Sequence, residues 1–301
     1  MKSRVRPAFS GCAALAGALA LFTSAFAQSP DTTAHPKSWS EPTAPFRIID
    51  NIYYVGTAGL GVYLIATPQG NVLLDGAVPA AVAQIESNIK ALGFKLRDTK
   101  YLLNSHAHYD HSGGLAQLKR DTGATLVASE GDRSALEGGF YLGWEDRPDL
   151  GAPPVQVDRV IADGETLSLG GVTLKANLTP GHTRGCTSWS MPVKHDGKTY
   201  QVLFFCSTSV AANRLVGPPQ YPGIVDAYER TFAKARMLQV DVFLAPHAEF
   251  FGLHEKRARL SGSGQHPFID AAEFPAFMAR SEADFRTQLA AQQAAAANRK
   301  Q

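Results

Sequence analysis

The sequence lacks the features that would place it among disordered, fibrous or nucleic-acid-binding proteins. Charged residues make up only 19% of the 301 residues, hydrophobic residues make up 45%, and the formal net charge is +2. This composition is that of an ordinary globular protein. Because there is no basic excess, the sequence gives no reason to expect nucleic acid or an anionic membrane surface as a partner.

Cysteine is scarce, with three residues in the whole chain. A chain of this length buries enough surface to form a core without a disulfide framework. Cys186 and Cys206 flank a segment that is typical of a β-hairpin with Asp196-Gly197 at its tip. A three-residue loop centred on Asp196 would place the two cysteines directly opposite each other, and a two-residue turn would shift them by one position. The pair is therefore a candidate disulfide, with two buried free thiols as the alternative.

Acidic residues are absent from the first 27 residues, which begin with three basic residues and continue with an apolar run over 13–22. The segment ends in a small-x-small sequence at Ala27. These are the three parts of a secretory signal peptide, and the apolar run is too short for a membrane span of about 20 residues. We predict cleavage after Ala27 and a periplasmic mature chain with no membrane partner. A retained membrane anchor is the alternative.

No linker divides the mature chain, so residues 28–301 are predicted to form a single domain with a polar arm over 28–45 and a frayed tail over 294–301. Both halves alternate β-rich runs with segments of helical period. Strands are predicted over 47–49, 52–55, 61–66, 71–75, 101–103, 125–128, 159–161, 166–169, 172–178, 187–193, 201–205 and 242–245. Helices are predicted over 78–92, 112–122, 226–238 and 268–293. This pattern predicts an α/β fold of the αββα sandwich type, in which two mixed β-sheets pack face to face with helices outside.

Histidine and aspartate are concentrated in one segment, His106-Ala-His108-Tyr-Asp110-His111. It lies on a loop between a predicted strand and a predicted helix, where several side chains can point into one space. Neutral imidazole and carboxylate together suit zinc. A zinc held by three protein ligands keeps a position for water and lowers the pKa of that water to about 7. Solvated loop histidines are the alternative interpretation.

A motif of this length cannot supply the ligands of two complete sites. The candidates for the missing ligands are His182, in Thr-Pro-Gly-His-Thr, and His247, in Ala-Pro-His. Both follow predicted strands and lie beside Pro or Gly, which is where site residues converge. Taken alone, His182 would more often be a core or capping histidine. The remaining histidines are predicted to lie on the surface: His35, His195, His254 and His266.

The His-x-His-x-Asp-His motif, the Gly-His-Thr that contains His182 and the Pro-His at a strand end resemble the metallo-β-lactamase superfamily. The resemblance runs from about Phe46 to the predicted C-terminal helix. It implies the αββα fold and a dinuclear metal site. It does not fix the substrate, because thioester hydrolases, lactonases and sulfatases share these motifs.

Three features narrow the resemblance to the third subclass of metallo-β-lactamases. Glyoxalase II and the lactonases carry a metal-bridging aspartate on the strand after Gly-His-Thr, and no acid occurs here from 201 to 225. His111 stands where the subclass with a cysteine ligand usually has arginine. Ser207 fills the place of that cysteine ligand, with Ser209 two residues beyond. An export signal also fits an enzyme that meets antibiotics in the periplasm.

The resemblance implies two Zn²⁺ ions per chain. The first would bind His106, His108 and His182, and the second would bind Asp110, His111 and His247. Asp110 would also be catalytic, because it would orient the attacking hydroxide. Ser207 and Ser209 would hold water or the substrate carboxylate. The irregular stretches 138–157 and 211–225, with Trp39, would wall the groove.

The expected function is zinc-dependent hydrolysis of the β-lactam ring of penicillins, cephalosporins and carbapenems, which confers resistance. A hydroxide shared by the two metals would attack the ring without an acyl-enzyme. The expected partner is a small-molecule β-lactam, and the protein is expected to be a monomer. The alternatives are a secreted dinuclear-zinc hydrolase of lactones, thioesters or other esters, and a non-catalytic zinc-binding protein.

Overall fold

The computed structural model describes residues 35–299 together with Met1. The predicted signal peptide, its cleavage after Ala27 and the first part of the predicted arm lie outside the described residues. Within the described part, no helix combines the length and the apolar character needed to cross a bilayer.

Seven strands form the first sheet in the order of the sequence. They are β1 (Phe46–Ile49), β2 (Ile52–Tyr54), β3 (Tyr63–Thr67), β4 (Gly70–Leu74), β5 (Thr99–Leu103), β6 (Thr125–Ser129) and β7 (Arg159–Ile161). The strands from β1 to β4 are antiparallel, and those from β4 to β7 are parallel. The parallel half brings the carboxyl ends of β4, β5 and β6 to one edge of the sheet.

Five strands form the second sheet in the order β12-β11-β10-β9-β8. They are β8 (Thr166–Leu169), β9 (Val172–Leu178), β10 (Thr187–His195), β11 (Lys198–Phe204) and β12 (Val242–Leu244). All neighbours are antiparallel except β11 and β12, which are parallel. Both sheets are therefore mixed, as predicted.

Seven α-helices complete the described fold: α1 (Val82–Ala91), α2 (Tyr109–Ser112), α3 (Leu115–Thr122), α4 (Glu130–Gly138), α5 (Ile224–Ala235), α6 (Leu253–Ala258) and α7 (Glu273–Asn298). Side chains of the first sheet alternate between two cores, as the period of a strand requires. Leu102 belongs to the same core as the helix residues Ile85 and Leu118, whereas Leu103 belongs to the core that contains Trp189 of the second sheet. The aromatic residues of α5 and α7 cover the second sheet. The αββα sandwich is confirmed.

Two helices differ from the prediction in instructive ways. The sequence of α4, with glycine at 131 and at 138, gives little helical signal, and α4 was not predicted. The last helix begins at Glu273, so Pro275 lies in its first turn, where a missing N–H costs no hydrogen bond. It continues to Asn298 through most of the tail that was expected to be frayed, because that tail is rich in alanine.

The β10–β11 hairpin has a two-residue turn. His195 pairs with Lys198, and both Asp196 and Gly197 have positive φ, at 48° and 73°. This is the conformation that Asp-Gly favours in two-residue hairpins. The three-residue loop is therefore wrong, and the register is shifted by one position. Cys186 and Cys206 nevertheless form a disulfide, with their Cα atoms 5.9 Å apart.

Reduction of this disulfide should lower the free energy of unfolding by about 3 kcal/mol, because the bond closes a loop of moderate length. The two cysteines are 20 residues apart in sequence. Urea denaturation of metal-free protein with and without a phosphine reductant measures the difference. The matched control is the double variant Cys186→Ala/Cys206→Ala, whose stability should not respond to the reductant. An equal response of both proteins would show that the cysteines are not bonded in solution.

Candidate metal centre

All six residues predicted to bind metal converge at one edge of the sandwich. His106 and His108 lie in the loop that follows β5, and Asp110 and His111 lie in α2 directly after it. His182 lies in the loop between β9 and β10. His247 follows β12, where its backbone forms an isolated bridge to Leu60. Strand ends thus place distant parts of the chain around one point.

The first cluster consists of three buried histidines. The Nε2 atom of His182 lies 3.1 Å from Nε2 of His106 and 3.0 Å from Nδ1 of His108. Ligand nitrogens bound at 2.0–2.1 Å around a tetrahedral zinc are separated from one another by about 3.3 Å. The three nitrogens therefore fit a shared zinc ion with only a small adjustment.

The second cluster joins one carboxylate to two histidines. Oδ2 of Asp110 lies 3.1 Å from Nε2 of His111 and 3.3 Å from Nε2 of His247. The two Nε2 atoms are themselves 3.1 Å apart. The rings of His106 and His111 are 4.3 Å apart between centroids, so the two clusters are adjacent. This donor set also fits zinc.

Burial prepares the first cluster for a cation. Burial lowers the pKa of His106 and His108, and it lowers the pKa of His182 to about 4. The rings are therefore neutral at pH 7 and offer lone pairs. In the second cluster, burial raises the pKa of Asp110, but the adjacent His111 and His247 outweigh it and hold that pKa well below its usual range. Asp110 is thus a carboxylate.

Hydrogen bonds behind the first cluster fix the orientation of two rings. The hydroxyl of Ser105 donates to Oδ2 of Asp75 at 2.6 Å, so its oxygen is left to accept from Nδ1 of His106 at 3.0 Å. Nδ1 of His182 lies 2.7 Å from the carbonyl oxygen of Ser209, which can only accept. Both rings therefore carry their proton on Nδ1 and present a bare Nε2. Sequence reasoning missed Asp75 and Ser105, although Asp75 stands at the end of an apolar strand.

The two long irregular stretches, 138–157 and 211–225, each contribute one polar side chain that contacts the first cluster. These side chains are Tyr141 and Asn213. The ring of Tyr141 stacks on His108, with 4.1 Å between centroids and 17° between planes. Its hydroxyl donates to Oδ1 of Asn213 at 3.0 Å, and Nδ2 of Asn213 donates to the carbonyl oxygen of His182 at 2.8 Å. Neither residue was singled out from the sequence, because nothing in a tyrosine or an asparagine marks such a role.

A groove of about 320 Å³ lies over the two clusters. Its walls include the predicted Trp39, with Tyr109 and Phe250. His35 is exposed, as predicted, and its ring stacks on Trp39 and Tyr109 at the groove.

The two predicted substrate-binding serines differ in position. Ser209 is exposed and lines the groove. Ser207 is 2% exposed, and its hydroxyl lies 3.2 Å from that of Ser209. Ser207 thus lies beneath the groove surface in contact with Ser209, and of the two serines only Ser209 is exposed in the groove.

Comparison with known proteins decides the family. A family model for the metallo-beta-lactamase superfamily matches residues 62–247. The chain belongs to this superfamily. The match includes every residue of the two clusters, and metal dependence is a property of the superfamily.

Two solved structures place the chain beside subclass B3. BJP-1, a subclass B3 metallo-beta-lactamase of Bradyrhizobium japonicum, is 51% identical with a TM-score of 0.84, over 86% of this chain and 98% of that one. The FEZ-1 metallo-beta-lactamase from Legionella gormanii is 39% identical with a TM-score of 0.83, over 86% of this chain and 99% of that one. The resemblance to metallo-β-lactamases of the third subclass is confirmed.

Curated relatives share a shorter segment. A hydroxyacylglutathione hydrolase of Methylococcus capsulatus is 32% identical over 124 residues, which is 41% of this chain and 40% of that protein. The match thus spans less than half of that relative's length. Its name describes a thioester hydrolase, so superfamily membership leaves the substrate open.

Proposed function

We propose that this protein is a zinc-dependent β-lactam hydrolase with two Zn²⁺ ions per chain. The observation that carries the proposal is the composition of the two clusters at the groove. Among the residues that the structure describes, Asp110 is the only carboxylate in either cluster, and it belongs to the second. A carboxylate shared by both clusters, which the hydrolases of thioesters and lactones are expected to have, is lacking from this described set.

The residues of the two clusters would have two roles, metal binding and orientation of the attacking water. His106, His108 and His182 would hold one zinc, and Asp110, His111 and His247 would hold the other. The bound ions would supply a water of lowered pKa and polarise the lactam carbonyl. Oδ2 of Asp110 faces the two histidines and would bind the second zinc, which would leave Oδ1 to accept a hydrogen from the attacking water and orient it.

Substrate recognition follows from the groove. The exposed Ser209 hydroxyl would donate to the carboxylate that β-lactams carry beside the ring. The apolar faces of Trp39, Tyr109 and Phe250 would contact the substituents of the drug. A mature, exported chain would carry this activity into the periplasm and so confer resistance. The signal peptide and the monomeric state remain predictions.

Hydrolysis of a thioester or lactone is the second candidate, favoured by the match to hydroxyacylglutathione hydrolases. Values of kcat/KM for a carbapenem, a penicillin, a cephalosporin, an acyl lactone and a glutathione thioester separate the two. We expect at least one β-lactam to exceed both esters by about 10²-fold or more. Faster turnover of the lactone or the thioester by protein with two zincs bound would keep the metal ligands and overturn the β-lactam assignment.

A further inference from the structure

Asp132 is a buried carboxylate that the proposed chemistry does not use. It is the third residue of α4 and is 2% exposed. Its Oδ2 accepts the backbone N–H of Ala107 at 3.0 Å and the hydroxyl of Thr183 at 2.8 Å. Its Oδ1 accepts the backbone N–H of Gly185 at 2.8 Å. Every partner is neutral, and three donors converge on one side chain.

These partners belong to the two loops that carry the whole first cluster. Ala107 stands between His106 and His108, and Thr183 directly follows His182. One carboxylate therefore ties together two loops that are more than 70 residues apart in sequence. No hydrogen bond of Asp132 in the described part of the chain reaches a residue of the second cluster.

Close backbone contact fixes the place of this carboxylate. A Cβ atom at Gly131 would lie 2.6 Å from the carbonyl oxygen of Arg184, and one at Gly185 would lie 2.3 Å from the backbone nitrogen of Asp132. Real side chains do not tolerate such distances, so only glycine permits the first turn of α4 to rest on the loop after His182. Ser129 adds a hydrogen bond from its hydroxyl to the carbonyl oxygen of Gly185.

Asp132 is held by neutral donors alone, without a cationic side chain beside it. Within residues 35–299, no lysine or arginine forms an ion pair with it. A buried charge without an opposite charge costs stability, and burial raises the pKa of this carboxyl to about 6. Such a cost is typical of residues retained for a site.

We propose that Asp132 is a positioning residue for the first metal site. By holding the His106–His108 loop against the His182 loop, it sets the spacing of the three nitrogens and so the zinc affinity of that site. The inference rests on the metal ligands given under the proposed function.

The test measures each site separately. His247→Ala removes a ligand of the second site and isolates the first, and His182→Ala does the reverse. Asp132→Asn is then added to each background, and zinc affinity is measured by competition with a chromophoric chelator. We expect a dissociation constant about 10–100-fold higher at the first site and no change at the second.

Asparagine is the informative substitution because its shape matches aspartate. Both carboxylate oxygens of Asp132 accept a backbone N–H, from Ala107 and from Gly185. In either orientation, the amide group of asparagine must turn its own N–H₂ toward one of these donors. One of these two hydrogen bonds, and with it one link between the two loops, is therefore lost.

Two further variants keep the test decisive. Asp158→Asn is the control for the same chemical change at an exposed aspartate, which accepts the backbone N–H of Leu126 near the start of β6 and pairs with Lys119. It should leave both affinities unchanged. Thr183→Val removes one donor to Asp132 and should weaken the first site in the same direction. If thermal unfolding shows that Asp132→Asn does not fold, Thr183→Val decides.

The outcomes distinguish this inference from the proposed function. Unchanged affinity at the first site, or equal weakening of both sites, would overturn the positioning role. If His182→Ala itself leaves two zincs bound as tightly as before, the ligand assignment fails. If β-lactams are not hydrolysed but the affinities change as expected, only the proposed substrate fails.

Discussion

Removal of metal by a chelator should lower kcat/KM for a carbapenem by at least about 10³-fold, and added zinc should restore it. The reason is that no side chain at the clusters replaces the water of lowered pKa that zinc supplies, a contribution of several kcal/mol. Loss of absorbance of the lactam ring follows the reaction, and metal content is measured in the same samples.

Magnesium and calcium serve as controls for this experiment. Five of the six ligands in the two clusters are histidine nitrogens, which suit zinc and other transition metals and do not suit these hard cations. Neither should restore turnover. Activity that persists after both zinc ions have been removed would contradict a metal-dependent mechanism.

Replacement of Asp110 by asparagine should lower kcat by about 10²–10⁴-fold, even in protein saturated with zinc. The change removes the negative charge of the second cluster and the acceptor that orients the attacking water. Because the carboxylate is flanked by His111 and His247, its loss also leaves these rings without their anionic partner. Steady-state kinetics with measured metal content separates a loss of kcat from a loss of zinc.

Asp158→Asn is again the control, because it makes the same chemical change at an exposed aspartate away from the groove and should leave kcat unaltered. An Asp110→Asn protein that binds two zincs and retains more than about a tenth of the wild-type kcat would show that Asp110 does not orient the water. A zinc-depleted variant that recovers fully in excess zinc would assign Asp110 to metal binding alone.

The sequence indicated the architecture and the ligands because both leave local signals. Strands such as β7, β8 and β9 match their predicted bounds, since each is followed within two residues by a glycine or a polar residue that ends the strand pattern. The six ligand candidates lie in short motifs, and the structure brings them into two clusters at the predicted edge. Their roles as ligands remain a prediction that the affinity measurements test.

The supporting residues could not be found in this way. Asp75 and Asp132 act through backbone groups of loops far away in sequence, and a lone aspartate carries no sign of such partners. The helix that holds Asp132 was missed for a related reason, because Gly131 weakens its helical signal and is required by its contact with Arg184. The hairpin register is different, because the Asp196-Gly197 pair does indicate the two-residue turn that the structure has.

The hairpin between the two cysteines offers a place to attach cargo to this enzyme. The covalent link lies at the end of the hairpin that borders the groove, whereas the Asp196-Gly197 tip is about 30 Å away along nine residues of strand. The Asp196 side chain is 86% exposed. Because the cross-link holds both strands at the groove, an inserted epitope, fluorophore or fusion partner at the tip would be uncoupled from the metal centre. The tip of the β10–β11 hairpin is thus a suitable position for immobilisation or labelling.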